Sequence, residues 1–141
     1  MTAERARLLR LQRLERVRAI AKQAAASEAA QAEGTLAQLT ALAERSQRLA
    51  SDYASRSEAR DGAALQQLSR FAGGLQDISL NTASDAAQAR QLADTKLALL
   101  AAAERRRAAV GERADKQARS IAKGESAVAT GNRRGFGTGL E

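Results

Sequence analysis

The side chains in this sequence that are most able to do chemistry are arginines, and they gather in two separate segments. Residues 1–22 carry seven basic and two acidic side chains, and residues 103–123 carry seven basic and three acidic ones. The stretch between them is slightly acidic, and the whole chain has a formal net charge of +7. Clustered positive charges attract an acidic surface at contact range, although salt screens them beyond about 8 Å. We therefore expect the two segments to bind an acidic partner.

The residue types argue against catalysis and against metal binding. The chain has no Cys and no His, which removes disulfides, thiol nucleophiles, His-based triads and the usual zinc sites. The carboxylates of Glu28, Glu33 and Glu44 lie on one stretch, but acid–base catalysis needs a desolvated cleft. No GxxxxGK[ST] phosphate loop occurs. The sequence thus predicts a protein that is not an enzyme, with no cofactor, no metal and no small-molecule substrate.

Long helices must position the arginines. The chain has no Pro, and strong helix formers dominate it, which is typical of a coiled coil or a long helix. Apolar residues recur every three to four positions, as on one face of a helix. The first stripe is Leu8, Leu11, Leu14, Val17, Ile20/Ala21, Ala24, Ala25, Ala29, Ala32, Leu36, Leu39, Leu42, Leu49 and Tyr53. The second is Leu65, Leu68, Phe71/Ala72, Leu75, Ile78, Leu92, Ala93, Leu97, Leu99/Leu100, Ala103, Val110, Ala114 and Ile121.

Asp61-Gly62 is the best turn signal between the two stripes. We expect Asp61 to cap the second helix while Gly62 relieves the backbone. Folding back here places Tyr53 opposite Phe71 and Ser46 opposite Ile78. The predicted fold is all-α, a long antiparallel two-helix coiled-coil hairpin over residues 1–123. Its first arm covers about 3–59, the turn about 60–62 and the second arm about 63–122, and each arm is roughly 85–90 Å long.

Glycines set the remaining expectations about the fold. Five of the last 18 residues are Gly, so residues 124–141 are predicted to be a flexible, disordered tail. Gly73-Gly74 weakens the second arm, and a break there would give three helices. Low aromatic content with high charge also leaves disorder of the isolated chain as an alternative.

Three segments together resemble FliJ-like proteins of bacterial flagellar type III export. They are the run Leu8-Leu9-Arg10-Leu11-Gln12-Arg13-Leu14-Glu15-Arg16, residues 49–53, and Phe71-x3-Leu75-x2-Ile78. The resemblance covers about residues 3–122. It implies an antiparallel helical hairpin similar to the central stalk of rotary ATPases, acting in the cytoplasm and associated peripherally with the inner membrane at the flagellar base.

The resemblance also implies two partners and, by position, the residues that contact them. The end with both termini is expected to bind a hexameric export ATPase ring through Arg5, Arg7, Arg10, Arg13, Arg16, Arg106, Arg107, Arg113 and Arg119. A patch nearer the turn is expected to bind the membrane-embedded export gate through Leu42, Leu49, Tyr53, Phe71, Leu75 and Ile78. Export chaperones are a further class of partner that the resemblance allows. Ser46 and Gly73-Gly74 depart from the pattern expected in the gate patch.

Two other functions compete with this one. The sequence pI of about 10.9 suits a coiled coil that binds nucleic acid, but aromatic stacking residues are scarce and the middle of the chain is slightly acidic. The basic N-terminal segment also suits a membrane surface, although it has no Trp or Phe to anchor it.

Overall fold

The computed structural model describes residues 2–55 and 61–136, and both parts are helical. Helix α1 spans Ala3–Ser55 and helix α2 spans Gly62–Phe136, with no strand in either described part. Side chains of the two helices contact each other, as in the ring pair of Tyr53 and Phe71. The prediction of an all-helical chain is confirmed.

Asp61 caps the start of α2, as the sequence predicts. Its Oδ1 accepts a hydrogen bond from the backbone N–H of Ala64 at 2.6 Å, which satisfies one of the N–H groups that a helix start leaves unpaired. The expected relief by Gly62 is wrong, because no described glycine has a positive φ and Gly62 is an ordinary first helical residue. Residues 56–60, where the predicted first arm ends and the turn begins, lie outside the described residues.

Helix α2 is longer than the sequence predicts. It passes through Gly73-Gly74 without a break, so the three-helix alternative is wrong. It also continues through Gly124 to Phe136, so the predicted helix end near 122 and the flexible tail are wrong for residues 124–136. A helical glycine costs only about 1 kcal/mol relative to alanine, and the residues between Gly124 and Gly131 include good helix formers. Residues 137–141 lie outside the described part.

The chain divides into two compact units, and each helix contributes a segment to both. Unit 1 comprises Met1–Ala24 with Leu100–Glu141, and unit 2 comprises Ala25–Leu99. Within each unit the contact partners show that the two segments run in opposite directions. In unit 1 Arg5 pairs with Glu125 and Lys22 with Glu104. In unit 2 Lys96 pairs with Glu28, while Tyr53 meets Phe71.

The buried side of unit 2 is built from small residues. On both helices the least exposed positions alternate at spacings of three and four, and we call this line of residues the seam. It comprises Ala25, Ala29, Ala32, Leu36, Leu39, Ala43, Ser46, Ala50 and Tyr53 on α1, and Leu68, Ala72, Leu75, Ser79, Thr82, Ala86, Ala89, Ala93 and Lys96 on α2. Ser79 donates a hydrogen bond across it to the carbonyl of Ala43. Small seam residues let two helices approach closely.

The seam of unit 1 has the same spacing but a charged centre. It comprises Leu8, Leu11, Glu15, Arg18 and Lys22 on α1, with Leu100, Ala103, Arg107, Val110, Ala114, Gln117 and Ile121 on α2. The predicted stripe is therefore wrong from Leu14 to Ala24, because Leu14, Val17 and Ile20 are exposed, and it meets the seam again at Ala25. Successive steps of three residues turn by 300° each, so such a series winds around the helix instead of following one face.

Candidate interaction surfaces

Unit 1 concentrates the positive charge of the protein. It contains sixteen basic and seven acidic residues, a net charge of +9, whereas unit 2 contains seven basic and nine acidic residues, a net charge of −2. The two positive segments of the sequence thus belong to one compact unit. An acidic surface is attracted to unit 1 and gains nothing from the net charge of unit 2.

Most of the arginines that the resemblance implies for a ring contact are exposed on unit 1. Arg7, Arg10, Arg13 and Arg16 on α1 make no ion pair with any residue in the described part of the chain. On α2, Arg106, Arg113 and Arg119 are exposed as well. Arg5 is also exposed and pairs with Glu125. The solvent-facing guanidinium groups are therefore available for charge-assisted hydrogen bonds to carboxylates.

Arg107 differs from the other predicted arginines, because it lies in the seam. Its guanidinium is 3.3 Å from Glu104 and 3.9 Å from Glu15, and Lys22 contacts the other oxygen of Glu104 at 2.6 Å. The hydrogen bonds from Lys22 and then Arg107 lower the pKa of the Glu104 carboxyl from its ordinary 4.5. These charges hold α1 and α2 together in unit 1, so Arg107 serves the fold directly.

One flank of unit 2 carries large apolar side chains that the seam does not cover. Leu42 and Leu49 on α1 and Phe71 and Ile78 on α2 are all exposed, with Phe71 at 52% and Ile78 at 51%. Each directly precedes a seam residue whose next neighbour in the seam is three residues further on, so all four have the same position in the repeat. We call these four residues the apolar flank. Tyr53 and Leu75, which the resemblance implies for the same patch, are half-buried in the seam beneath it.

A neighbouring groove shows that the repeat positions of the apolar flank lie on the same side of unit 2 in both helices. Thr35 and Leu92 also directly precede seam residues, and both line a groove that Glu28 and Lys96 border. On the other side, Ala54 and Ser69, which directly follow seam residues, line a separate groove together with Leu65. Gln47 and Gln76 hold the same repeat position as Ala54 and Ser69 and are exposed. Leu97, at that same repeat position, is 40% exposed, so one flank of unit 2 is richer in large apolar side chains, but the other is not free of them.

Ser46 does not belong to the exposed patch. It is 6% exposed, alongside the buried Ser79 and Thr82 of the seam, whereas Ile78, its expected partner, faces solvent. The small residue at position 46 therefore allows close helix packing and leaves the apolar flank intact. A larger side chain here would be expected to force the helices apart.

The sequence interpretation missed the outward face of α1 in unit 1. The hydrophobic spacing predicts that Val17 and Ile20 are buried, but they are 59% and 70% exposed. The signal was present, because the spacing from Leu8 and Leu11 to Ala25, Ala29 and Ala32 keeps alternating three and four only if it passes through Glu15, Arg18 and Lys22. Charge at those positions hid the pattern.

Within residues 2–55 and 61–136 no group of three or more acidic side chains is placed to hold a metal ion. Neither described helix contains a stretch apolar enough to span a membrane. Comparison with protein-family models, with curated proteins and with solved structures finds no match for this chain.

Proposed function

We propose that this protein is a non-enzymatic adaptor, an antiparallel two-helix coiled coil that links two parts of a bacterial flagellar type III export apparatus. Its basic unit binds the hexameric export ATPase, and its apolar flank binds the export gate. The resemblance to FliJ-like proteins names these partners. The observation that carries the proposal is the segregation of charge, with +9 on unit 1 and −2 on unit 2.

The charge on unit 1 is better explained by binding than by folding. Like charges on two packed helices repel one another and lower stability. The seam uses Lys22 and Arg107 in ion pairs, but Arg10 and Arg13 lie on the outer surface and contribute nothing to that network. A partner with acidic side chains offsets the repulsion, and by binding its assembled form unit 1 also favours assembly through mass action.

The apolar flank supports a second protein contact. Single exposed apolar residues are common, whereas a contiguous set that includes an aromatic ring is typical of a binding site. Phe71 is held by its ring contact with Tyr53, so it is pre-positioned and loses little side-chain freedom on binding. These features suit an apolar groove on a partner, which in this proposal is the export gate.

A matched pair of charge reversals tests the ATPase contact. Arg10→Glu/Arg13→Glu changes two exposed arginines of unit 1, and Arg45→Glu/Arg48→Glu changes two exposed arginines of unit 2. Both pairs are on α1, three residues apart, and each arginine falls two residues after a seam residue. We expect the first variant to bind the purified export ATPase about tenfold more weakly or worse and to lose stimulation of ATP turnover. The second should act like the wild type.

Two results would overturn this function. One is a wild-type chain that neither co-elutes with the ATPase nor changes its turnover. The other is equal loss of binding in both charge-reversed variants, which would show that ATPase binding does not depend on which unit carries the arginines. Tight binding to duplex DNA, with an affinity that falls steeply as salt rises, would instead support the nucleic-acid alternative.

A further inference from the structure

The outward face of α1 in unit 1 carries a second series of residues at alternating spacings of three and four. The series is Ala3, Ala6, Arg10, Arg13, Val17, Ile20 and Ala24, and all its members are exposed. From Arg10 onward, each falls two residues after a seam residue. Two residues are about 200° of rotation, so the series faces away from α2.

The outward series of α1 includes large apolar side chains, and the matching face of α2 has none. Val17 and Ile20 are among the most exposed large apolar side chains of the protein. The residues two positions after the seam of α2 are Ala102, Arg105, Ala109, Glu112, Lys116, Arg119 and Lys123, and none of them is large and apolar. Among residues 100–133 of α2, Val128 is the only exposed side chain of this kind. The two helices of unit 1 thus differ in what they offer a partner.

We propose that the outward series of α1 docks an acidic amphipathic helix of the ATPase partner. A spacing of three and four is what a second helix needs in order to pack its side chains between those of the first. Apolar side chains of that helix cover Val17 and Ile20, and its carboxylates pair with Arg10 and Arg13. The inference rests on the proposed function and adds which helix of unit 1 is contacted and by what structure.

Charge and geometry favour a protein helix over the other anionic partners. The series has only two large apolar residues and no aromatic one, and the opposite face of α1 is held in the seam by Lys22 and Glu15. The helix therefore cannot turn a broad apolar face into a lipid surface. Nucleic acid is recognised by phosphate contacts and base stacking, to which Val17 and Ile20 add nothing.

The test replaces the two apolar residues in the full chain without weakening the helix. Val17→Ala/Ile20→Ala removes apolar area, and alanine is the best helix former, so α1 should persist, as circular dichroism can check. Val128→Ala is the matched control, because Val128 is also exposed in unit 1 but lies on α2. We expect the double variant to bind the purified export ATPase about tenfold more weakly or worse, and the control to change affinity less than twofold.

The outcomes separate this inference from the proposed function. If the wild type binds the ATPase and the double variant binds equally well, this inference is wrong and the function stands. If the wild type does not bind at all, both are wrong. A photo-crosslinker at position 20 should capture a helical segment of the ATPase rich in Asp and Glu, and capture of a segment without them would overturn the inference. So would sedimentation with phosphatidylglycerol vesicles that depends on Val17 and Ile20.

Discussion

The rings of Tyr53 and Phe71 meet edge to face, with centroids 4.7 Å apart and an interplanar angle of 80°. This contact joins the end of α1 to the beginning of α2 within unit 2, and it is the pairing that the sequence predicts. Such ring pairs contribute about 0.5–1.5 kcal/mol beyond the area they bury. It fixes the register of the two helices beside the apolar flank.

Removing the ring of Phe71 should destabilise the protein, and part of the loss should depend on the presence of the Tyr53 ring. We expect Phe71→Ala to lower the free energy of unfolding by about 1–2 kcal/mol, with a coupling of about 0.5–1.5 kcal/mol to Tyr53→Ala in a double-mutant cycle. Urea denaturation followed by circular dichroism measures both. Leu80→Ala is the control, since Leu80 is exposed and outside the seam, and it should change stability by less than about 0.5 kcal/mol. Additive effects at positions 53 and 71 would contradict the contact.

Glu104 should make stability depend on pH on the acid side. Its pKa is lowered in the folded protein by Lys22 and Arg107, so its ion pairs stabilise the fold above pH 4.5 and are lost as the pH falls through the lowered pKa. Glu104→Gln should therefore melt at a lower temperature than the wild type at pH 7, and the difference should shrink as the pH falls below 4.5. A difference that stays constant down to pH 3 would exclude this role. Glu112→Gln, which changes an exposed carboxylate of the same helix, should show little effect at any pH.

Replacing a glycine inside a helix by alanine should stabilise the protein wherever there is room for the added Cβ. A Cβ at Gly34 would meet nothing within 4 Å, so Gly34→Ala should raise the free energy of unfolding by about 1 kcal/mol. At Gly111 a Cβ would lie 3.3 Å from Oε1 of Glu15, and that carboxylate would have to move relative to Arg107. Gly111→Ala should gain less than Gly34→Ala in the same denaturation experiment. A loss of stability at Gly34 would show that α1 is not helical there in solution.

The cap of α2 should be replaceable only by residues that can accept the same hydrogen bond. Asp61→Ala removes the acceptor of the Ala64 N–H and should lower the free energy of unfolding by about 0.5–2 kcal/mol, whereas Asp61→Asn should lose far less. Thermal melts of the two variants beside the wild type provide the comparison. Equal melting temperatures for alanine and asparagine would show that the cap contributes nothing.

The sequence predicts the helices and the Tyr53–Phe71 pairing, because helix formers, the absence of Pro and one turn signal act locally. It predicts which residues of α1 line the seam from Ala25 to Leu39, but not which ones line it in unit 1. Hydrophobicity correctly places Ala29 in the contact face, but it also places Val17 and Ile20 inside, whereas the structure half-buries Glu15 and Lys22 there and buries Ser46. Close packing favours small residues, and ion pairs admit charged ones, so the apolar series alone does not mark the contact face.

At the candidate surfaces, the sequence shows where the charge is but not which charged residues lie in the seam. Arg10 and Arg13 are exposed, and the positive charge of their segment is visible in the sequence. Arg107 looks the same in the sequence, and only its distances to Glu15 and Glu104 separate it from its exposed neighbours. The sequence does not predict the helical course of residues 124–136, because the number of glycines in a segment does not show how many helix formers lie between them.

The central claim is that each unit carries its own binding surface, and a crossed affinity measurement tests it most directly. Arg10→Glu/Arg13→Glu and Leu42→Gln/Ile78→Gln would each be titrated with the export ATPase and with the cytoplasmic domain of the export gate. Glutamate and glutamine both form helices well, so both variants should stay folded. We expect the charge variant to lose only the ATPase and the apolar-flank variant to lose only the gate. Loss of both partners by either variant, or of neither by both, would contradict the account.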